Sequence, residues 1–306
     1  NNFGAKGGKP THPDLLDYLS RRFLQGNWSI KKLHKAIMLS KVYRRSVVPV
    51  DEKNLAIVDP ENSLLTHFRR RRLTAEEIRD SLLSVSGELV HADGGIPVFP
   101  EMNMEVALQP RMIQFSLAPA YQPSVYRDER NRRTIFAYHC RGLADPFLEL
   151  FNQPNPNESC ELRDDASVTP QALTLLNSEF MSDRAVALAD ELIRTSQDDA
   201  MAVSNAFLRI LGREPVDDET QQLLTFLNDS VRSRTKELAA SGGYPTEITR
   251  SLVEEFSGQP FEYREILPKF INYEADLKME NLSAEGRGLA DVCLLLMNTN
   301  EFLFVD

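Results

Sequence analysis

The pair His139-Cys140, with Cys160 twenty residues further on and Asp145, Glu149 and Glu158 between or beside them, puts imidazole, thiol and carboxyl donors close together in sequence. A transition metal accepts all three donor types. The spacing matches no standard site, so a disulfide or two unrelated thiols with a satisfied histidine is the simpler reading. Cys160 is also a candidate nucleophile. It stands on a polar turn just before an expected helix, whose N-terminal partial charge would lower a thiol pKa, with His139 or His12 as its base. Glu158, Glu161, Asp164 and Asp165 oppose that thiolate, and no oxyanion donors can be named.

A second group is the run Arg69–Arg72, which could bind sulfated or uronic-acid sugars. Four consecutive helical residues point roughly 100° apart, so they cannot all line one site. Arg72 lies four residues before Glu76 and Glu76 three before Arg79, a spacing that invites intrahelical ion pairs. Acid pairs such as Asp164-Asp165 and Glu254-Glu255 could serve glycosidic acid–base work, but adjacency in sequence cannot show two carboxyls facing across a cleft. In an acidic chain they read as solvated charge. The glycine pairs at 7–8, 94–95 and 242–243 lack the helix and lysine of a phosphate loop.

The elements that must carry these residues are mostly helices. Thr11 with Asp14 caps a first one, with Leu15, Leu16, Leu19 and Phe23 as its stripe and Gly26 as its stop. A second starts at Ser29, a third covers 61–68, and Thr74 with Glu77 makes a capping box for a fourth running to Gly87. Residues 94–168 turn to Gly, Pro and aromatics. They form a loop-rich insert that can hold two short strands, at 112–117 and 134–138. Thr169 and Pro170 then open a helix with Leu173, Leu176 and Phe180 on its buried face, flanked by Ala172 and Leu175, leaving Gln171, Asn177 and Glu179 for water or partners. Further helices follow at 183–194 and 200–211, then a long one from Asp217, charged helical pieces to Asn281, and a last one holding Leu289, Val292, Leu295 and Leu296. The sequence thus divides into an N-terminal helical unit (1–93), the aromatic insert (94–168) and a C-terminal helical unit (169–306), expected to form one continuous mainly α fold. The ends of two helices echo each other, at 175–180 and 296–302. A shared termination device, with Asn in left-handed geometry, would explain this.

Four ordered stretches carry a resemblance. They are Asn2-Phe3-Gly4 with 10–19 (PTHPDLLDYL), 70–80 (RRRLTAEEIRD), Glu158-Ser159-Cys160 with 169–180 (TPQALTLLNSEF), and 296–303 (LMNTNEFL). Together they are similar to the planctomycete cytochrome-associated domain of unknown function 1553. The resemblance implies a piece of a larger extracytoplasmic protein, periplasmic or secreted, commonly with a c-type cytochrome domain elsewhere, and brings no established activity. It makes Arg71, Arg72, Glu76, Arg79 and Asp80 candidates for a shared polar site, with Glu158, Cys160, Arg163 and Gln171 as further binding candidates. In an extracytoplasmic protein Cys140 and Cys160 could be bridged, leaving Cys293 as a buried hydrophobe.

Composition bounds the rest. With 306 residues and 42% hydrophobic content the chain can bury a core. No run approaches the roughly 18 apolar residues of a membrane span. A chain beginning Asn1-Asn2-Phe3 is expected to start inside a longer polypeptide. Net charge is −10, made of +9 over residues 1–72 and −19 over the remainder. That asymmetry reads as one part packing on another, and the overall acidity disfavours nucleic acid. No Cys-x-x-Cys-His is present for haem attachment, so no cofactor is expected in this segment. The expected role is binding or assembly, with other domains of the parent chain, a c-type cytochrome domain or a glycan as partners. The competing reading is an enzyme acting on a polysaccharide or other polymer, its polar site between the insert and the 74–87 helix.

Overall fold

The structure, a computed structural model, describes residues 7–49, 51–92, 94–113, 116–160, 163, 169–234, 242–254 and 256–305. Among these the chain is mainly α, with thirteen helices and three two-stranded sheets. It divides into two compact units, residues 1–72 with 304–306, and residues 73–303.

The first unit holds α1 (Pro13–Gln25), α2 (Ile30–Met38), α3 (Glu52–Val58) and the short strand β1 (Arg71–Arg72), which pairs antiparallel with Phe304–Val305, β6 in chain order. Gly26 ends α1 and Ser29 Oγ caps α2, as expected. The N-cap of α1 is His12 rather than Thr11, whose hydroxyl lies 3.0 Å from His12 Nδ1. None of the three helices buries a residue. The third helix lies earlier than the sequence suggests, at 52–58, and 61–68 is a chain of turns. Asp59 accepts hydrogen bonds from the amides of Ser63 and Leu64, and Asn62 from the amide of Thr66, while Asn62 and Leu65 take positive φ. These side chains offer the backbone an alternative to the helix.

The second unit is built on α9 (Glu179–Thr195), α10 (Asp199–Leu211), α11 (Asp217–Ser233) and α12 (Ala284–Met297). Helix α12 runs close to both α9 and α11 because glycines face each: a Cβ on Gly286 would lie 3.3 Å from Ile193 Cδ1, and one on Gly288 2.6 Å from Val231 Cγ2. Val292, Leu296, Met297 and Cys293 are buried there. Cys293 is the expected small hydrophobe, its thiol pushed up to about 12 by burial. Gly212, in the left-handed region, stops α10. Four shorter helices complete the frame: α4 (Ala75–Val85), opened by the Thr74–Glu77 capping box, α5 (Met104–Ala107), α6 (Arg127–Arg130) and α7 (Pro146–Leu150). They are joined by α8 (Thr169–Asn177), and α13 (Asn300–Leu303) closes the unit.

Between α5 and α6 the run 112–117, expected as one strand, is divided between the two strands of a hairpin, β2 (Arg111–Ile113) and β3 (Ser116–Ala118). The second, at 134–138, is a 3-10 turn over Thr134–Phe136 followed by a single bridge from Ala137 to Val98. The charged helices expected before Asn281 are instead a hairpin of β4 (Glu247–Val253) and β5 (Pro260–Ile266). Its strands alternate Ile248, Arg250 and Leu252 against Glu247, Thr249 and Ser251, a period of two, and Pro260 stands at a strand's first position, where its missing N–H costs nothing.

Helix α8 forms where expected but turned over. Gln171 and Leu175 are buried, while Ala172, Leu173 and Leu176 are exposed. Gln171 Nε2 donates to Leu150 O and Asn152 Oδ1, both at 2.9 Å, satisfying acceptors at the end of α7. A buried carbonyl without a donor costs more than an exposed leucine, so the amide goes inward. The echoed helix ends do share a device, though not the left-handed one. Asn177 Nδ2 donates to Leu173 O at 2.9 Å and Asn298 Nδ2 to Leu294 O at 2.7 Å, each reaching four residues back, and Asn298 has φ −94.

Candidate functional site

Inside the second unit, charge is buried where sequence reading expects apolar packing. On α9 the buried residues Met181, Arg184, Ala185, Leu188 and Leu192 fall on one stripe, and on α4 so do Ala75, Ile78, Arg79, Leu82 and Leu83. Each helix therefore carries an arginine in its apolar face. Arg184 ion-pairs with Asp276 and, through NH1 at 2.8 Å, with Glu88. Arg130, at the end of α6, reaches Asp276 at 2.9 Å, donates to the carbonyls of Ser124 and Val125, both at 3.0 Å, and lies 4.4 Å over the ring of Tyr273. Burial works against the Asp276 carboxylate, but Arg184 and then Arg130 outweigh it and hold the group below the usual range. Glu88, with a single arginine, is raised by the same burial.

Arg79 spends both terminal nitrogens on the backbone of another segment. NH2 donates to Arg130 O at 2.8 Å, and NH1 to Arg132 O at 3.1 Å and Thr134 Oγ1 at 3.2 Å. Its neighbour Asp80 accepts from the amide and hydroxyl of Thr134 at 2.7 and 2.6 Å. Together the two fasten α4 to residues 130–134.

A cavity of about 370 Å³ opens against this charged layer. Carboxyls line it from four directions: Glu101, Asp145 before α7, Glu179 and Asp183 on α9, and Asp276. Glu101 accepts hydroxyls from Tyr244 and Tyr273, each at 2.6 Å. Asp183 pairs with Lys278 Nζ at 2.8 Å, yet burial pushes it up to about 7. Asp145 caps α7 through Oδ1, which accepts the amides of Phe147 and Leu148 at 2.9 and 3.4 Å. Burial also raises Asp145, with the Arg79 charge opposing. Phe147 and Phe180, centroids 5.4 Å apart, give the cavity an aromatic side. A narrower cavity of about 70 Å³ lies beside it, lined by His139, Cys140 and Glu149 and sharing Met102 and Asp145 with the first.

The residues singled out from sequence fall in several places. Arg71 and Arg72 stand in β1 of the first unit, with extended backbone, so the helical i,i+4 spacing from Arg72 to Glu76 does not apply. Nor does Glu76 turn to Arg79. It accepts from Arg163 NH1 at 2.6 Å and Gln153 Nε2 at 3.5 Å, and although burial raises its carboxyl, Arg163 brings it below the usual range. Glu76 and Arg163 thus join α4 to the polar turn, while Arg79 lines the larger cavity together with Asp145, Asn177 and Glu179. Glu158 and Cys160 are exposed, and Glu161, Leu162, Asp164 and Asp165 lie outside the described residues.

Cys140 is a free thiol that accepts from Arg111 NH1 at 3.6 Å, so the bridge to Cys160 is not formed. Among the described residues no three histidine, cysteine or acidic side chains are grouped so as to hold a metal ion. No helix among them is long and apolar enough to cross a membrane.

Arg130, Arg184, Asp276, Glu101 and Lys278 were not visible as site residues in the sequence. The one available signal was an arginine interrupting an apolar stripe, at 79 and at 184. Asp276 and Glu101 sit on irregular segments where no periodicity marks burial.

A family model described as PSD1: Protein of unknown function (DUF1553) matches residues 1–227. No curated protein matches the chain. No solved structure matches it either.

Proposed function

This chain belongs to the PSD1 family of proteins of unknown function (DUF1553), and from that premise we propose that its second unit is a binding module whose larger cavity takes one unit of a glycan. The cavity itself supports this reading. At about 370 Å³ it falls within the roughly 300–1,000 Å³ of small-molecule sites, and it pairs an aromatic side, Phe147 and Phe180, with carboxylates and the amides of Asn103 and Asn177. Apolar faces and hydroxyls of a sugar ring ask for that combination. Binding is favoured over hydrolysis because most of the wall carboxyls already have work. Asp276 neutralises two arginines, Asp183 holds Lys278, Glu101 takes two tyrosine hydroxyls and Asp145 caps a helix. An acid–base pair for glycoside cleavage would have to be drawn from these.

The resemblance to cytochrome-associated domains supports placing this module in an extracytoplasmic protein, beside a c-type cytochrome domain carried elsewhere in the parent chain. Haem attachment would lie outside this segment.

Titration of the purified chain with neutral and charged mono- and oligosaccharides, followed by calorimetry, tests the binding reading. Saturable binding is expected, weakened about tenfold or more in Phe180→Ala if the ring stacks on the sugar. The reading fails if no sugar saturates, and release of new reducing ends during incubation would replace it with the hydrolytic one.

A further inference from the structure

We propose that the first unit binds the surface of an anionic lipid bilayer, with α1 and α2 lying in the headgroup region and Trp28 entering first. Three observations on this unit carry the proposal, and none involves the cavity of the second.

The first is an amphipathic helix pair with no core behind it. Helices α1 and α2 pack on each other, and Leu19, Phe23, Leu33 and Ile37 are half-buried. Leu16, Tyr18, Ile30, Met38 and Leu39 remain exposed, and neither helix buries a residue. Ile30, His34 and Met38, four residues apart, form one row along α2, edged by Lys31 and Lys35. An apolar face of this kind marks an interaction site.

The second is charge. Residues 7–49 hold nine Lys and Arg against two acids, Asp14 and Asp17, both on the side of α1 away from Leu19 and Phe23. Among the described residues no carboxylate pairs with Lys31, Lys32, Lys35 or Lys41. An apolar row edged by unpaired lysines suits a helix lying in a bilayer interface, where each cation near an anionic surface adds attraction. Protein interfaces are poor in lysine, which weighs against an acidic protein as the occupant.

The third is Trp28 itself. Asn27 and Trp28, between the two helices, both take positive φ, 58 and 59. That conformation is strained for a bulky residue, and here it leaves the indole 66% exposed, with Phe23 edge-on at 5.3 Å. An apolar ring bearing one N–H belongs at the boundary between hydrocarbon and water.

Trp28 is the chain's one tryptophan, so its emission reports this site alone. Titrating the full chain with phosphatidylglycerol–phosphatidylcholine vesicles should shift that emission to the blue and carry the protein into the vesicle pellet. Pure phosphatidylcholine vesicles should do neither. Binding should weaken about tenfold or more between roughly 0.05 and 0.5 M salt, and about a hundredfold when Lys31, Lys32 and Lys35 are changed together to Gln. Ile30→Ser should weaken it about tenfold. All four positions are exposed, so an unchanged circular dichroism spectrum should accompany each loss. Failure to sediment with either vesicle, or an unchanged Trp28 emission, overturns the proposal, as does equal binding to the neutral vesicles. A blue shift with polyglutamate but not with vesicles would assign the face to an acidic polypeptide, and one that grows with protein concentration alone would assign it to a second copy. Either overturns the lipid assignment.

Discussion

Asp276 holds two buried guanidinium groups, Arg130 and Arg184. Asp276→Asn leaves Arg184 with Glu88 alone and Arg130 with only the more distant Glu101, and should cost about 3–5 kcal/mol, read as a shift in urea midpoint at unchanged m-value. Its depressed carboxyl contributes stability that is present above the unfolded value near 3.8 and is lost as pH falls through the folded one. Asp183 has the opposite sign. Raised from 3.8 to about 7, it contributes stability that is fully present below pH 3.8 and is lost as pH rises through 7. The stability of the wild type relative to Asp183→Asn should therefore decline between pH 4 and 7 in denaturant titrations. A flat difference across that window would mean that Lys278 compensates the burial completely.

Among the elements, α12 is the most tightly constrained. A Cβ on Gly288 would meet Val231 Cγ2 at 2.6 Å and the Val231 backbone nitrogen at 3.1 Å, and backbone cannot swing aside as a side chain can. Gly288→Ala should cost about 1–3 kcal/mol by thermal or denaturant melting, even though alanine is the better helix former. No measurable change would show that α11 and α12 are free to separate. Helix α8 and the β4–β5 hairpin teach a related point about periodicity. The leucines of α8 gave the right helix and the wrong face, because acceptors at the end of α7 recruited Gln171. In the hairpin, charged residues on the exposed faces of two strands resembled a charged helix, and Arg250, buried against Glu265 and Leu108 O, hid the inward row.

For the whole molecule, the two units differ in how they are held. The described helices of the first bury nothing, whereas the apolar core and the ion-pair knot lie within residues 73–303. The segment 73–303 should accordingly fold on its own. Expressed alone, it is expected to unfold in one cooperative transition within about 1 kcal/mol of the full chain in chemical denaturation. A molten, dye-binding product would show that the first unit supplies part of its core.

Local signals were enough to determine the helical class, the Thr74–Glu77 capping box, the stops at Gly26 and Gly212, the buried Cys293 and the family. Apart from the family, which rests on four stretches spread along the chain, each depends on residues within one or two turns of each other, and a capping side chain or a left-handed glycine acts the same way wherever the helix goes. Tertiary structure alone decided the candidate site. Glu101, Asp145, Asp183 and Asp276 come from four separate segments and mean nothing together until α4, α7 and α9 bring them around one cavity. A carboxyl's charge and its need for a partner are set by burial and by what faces it, and neither is written in the residues on either side.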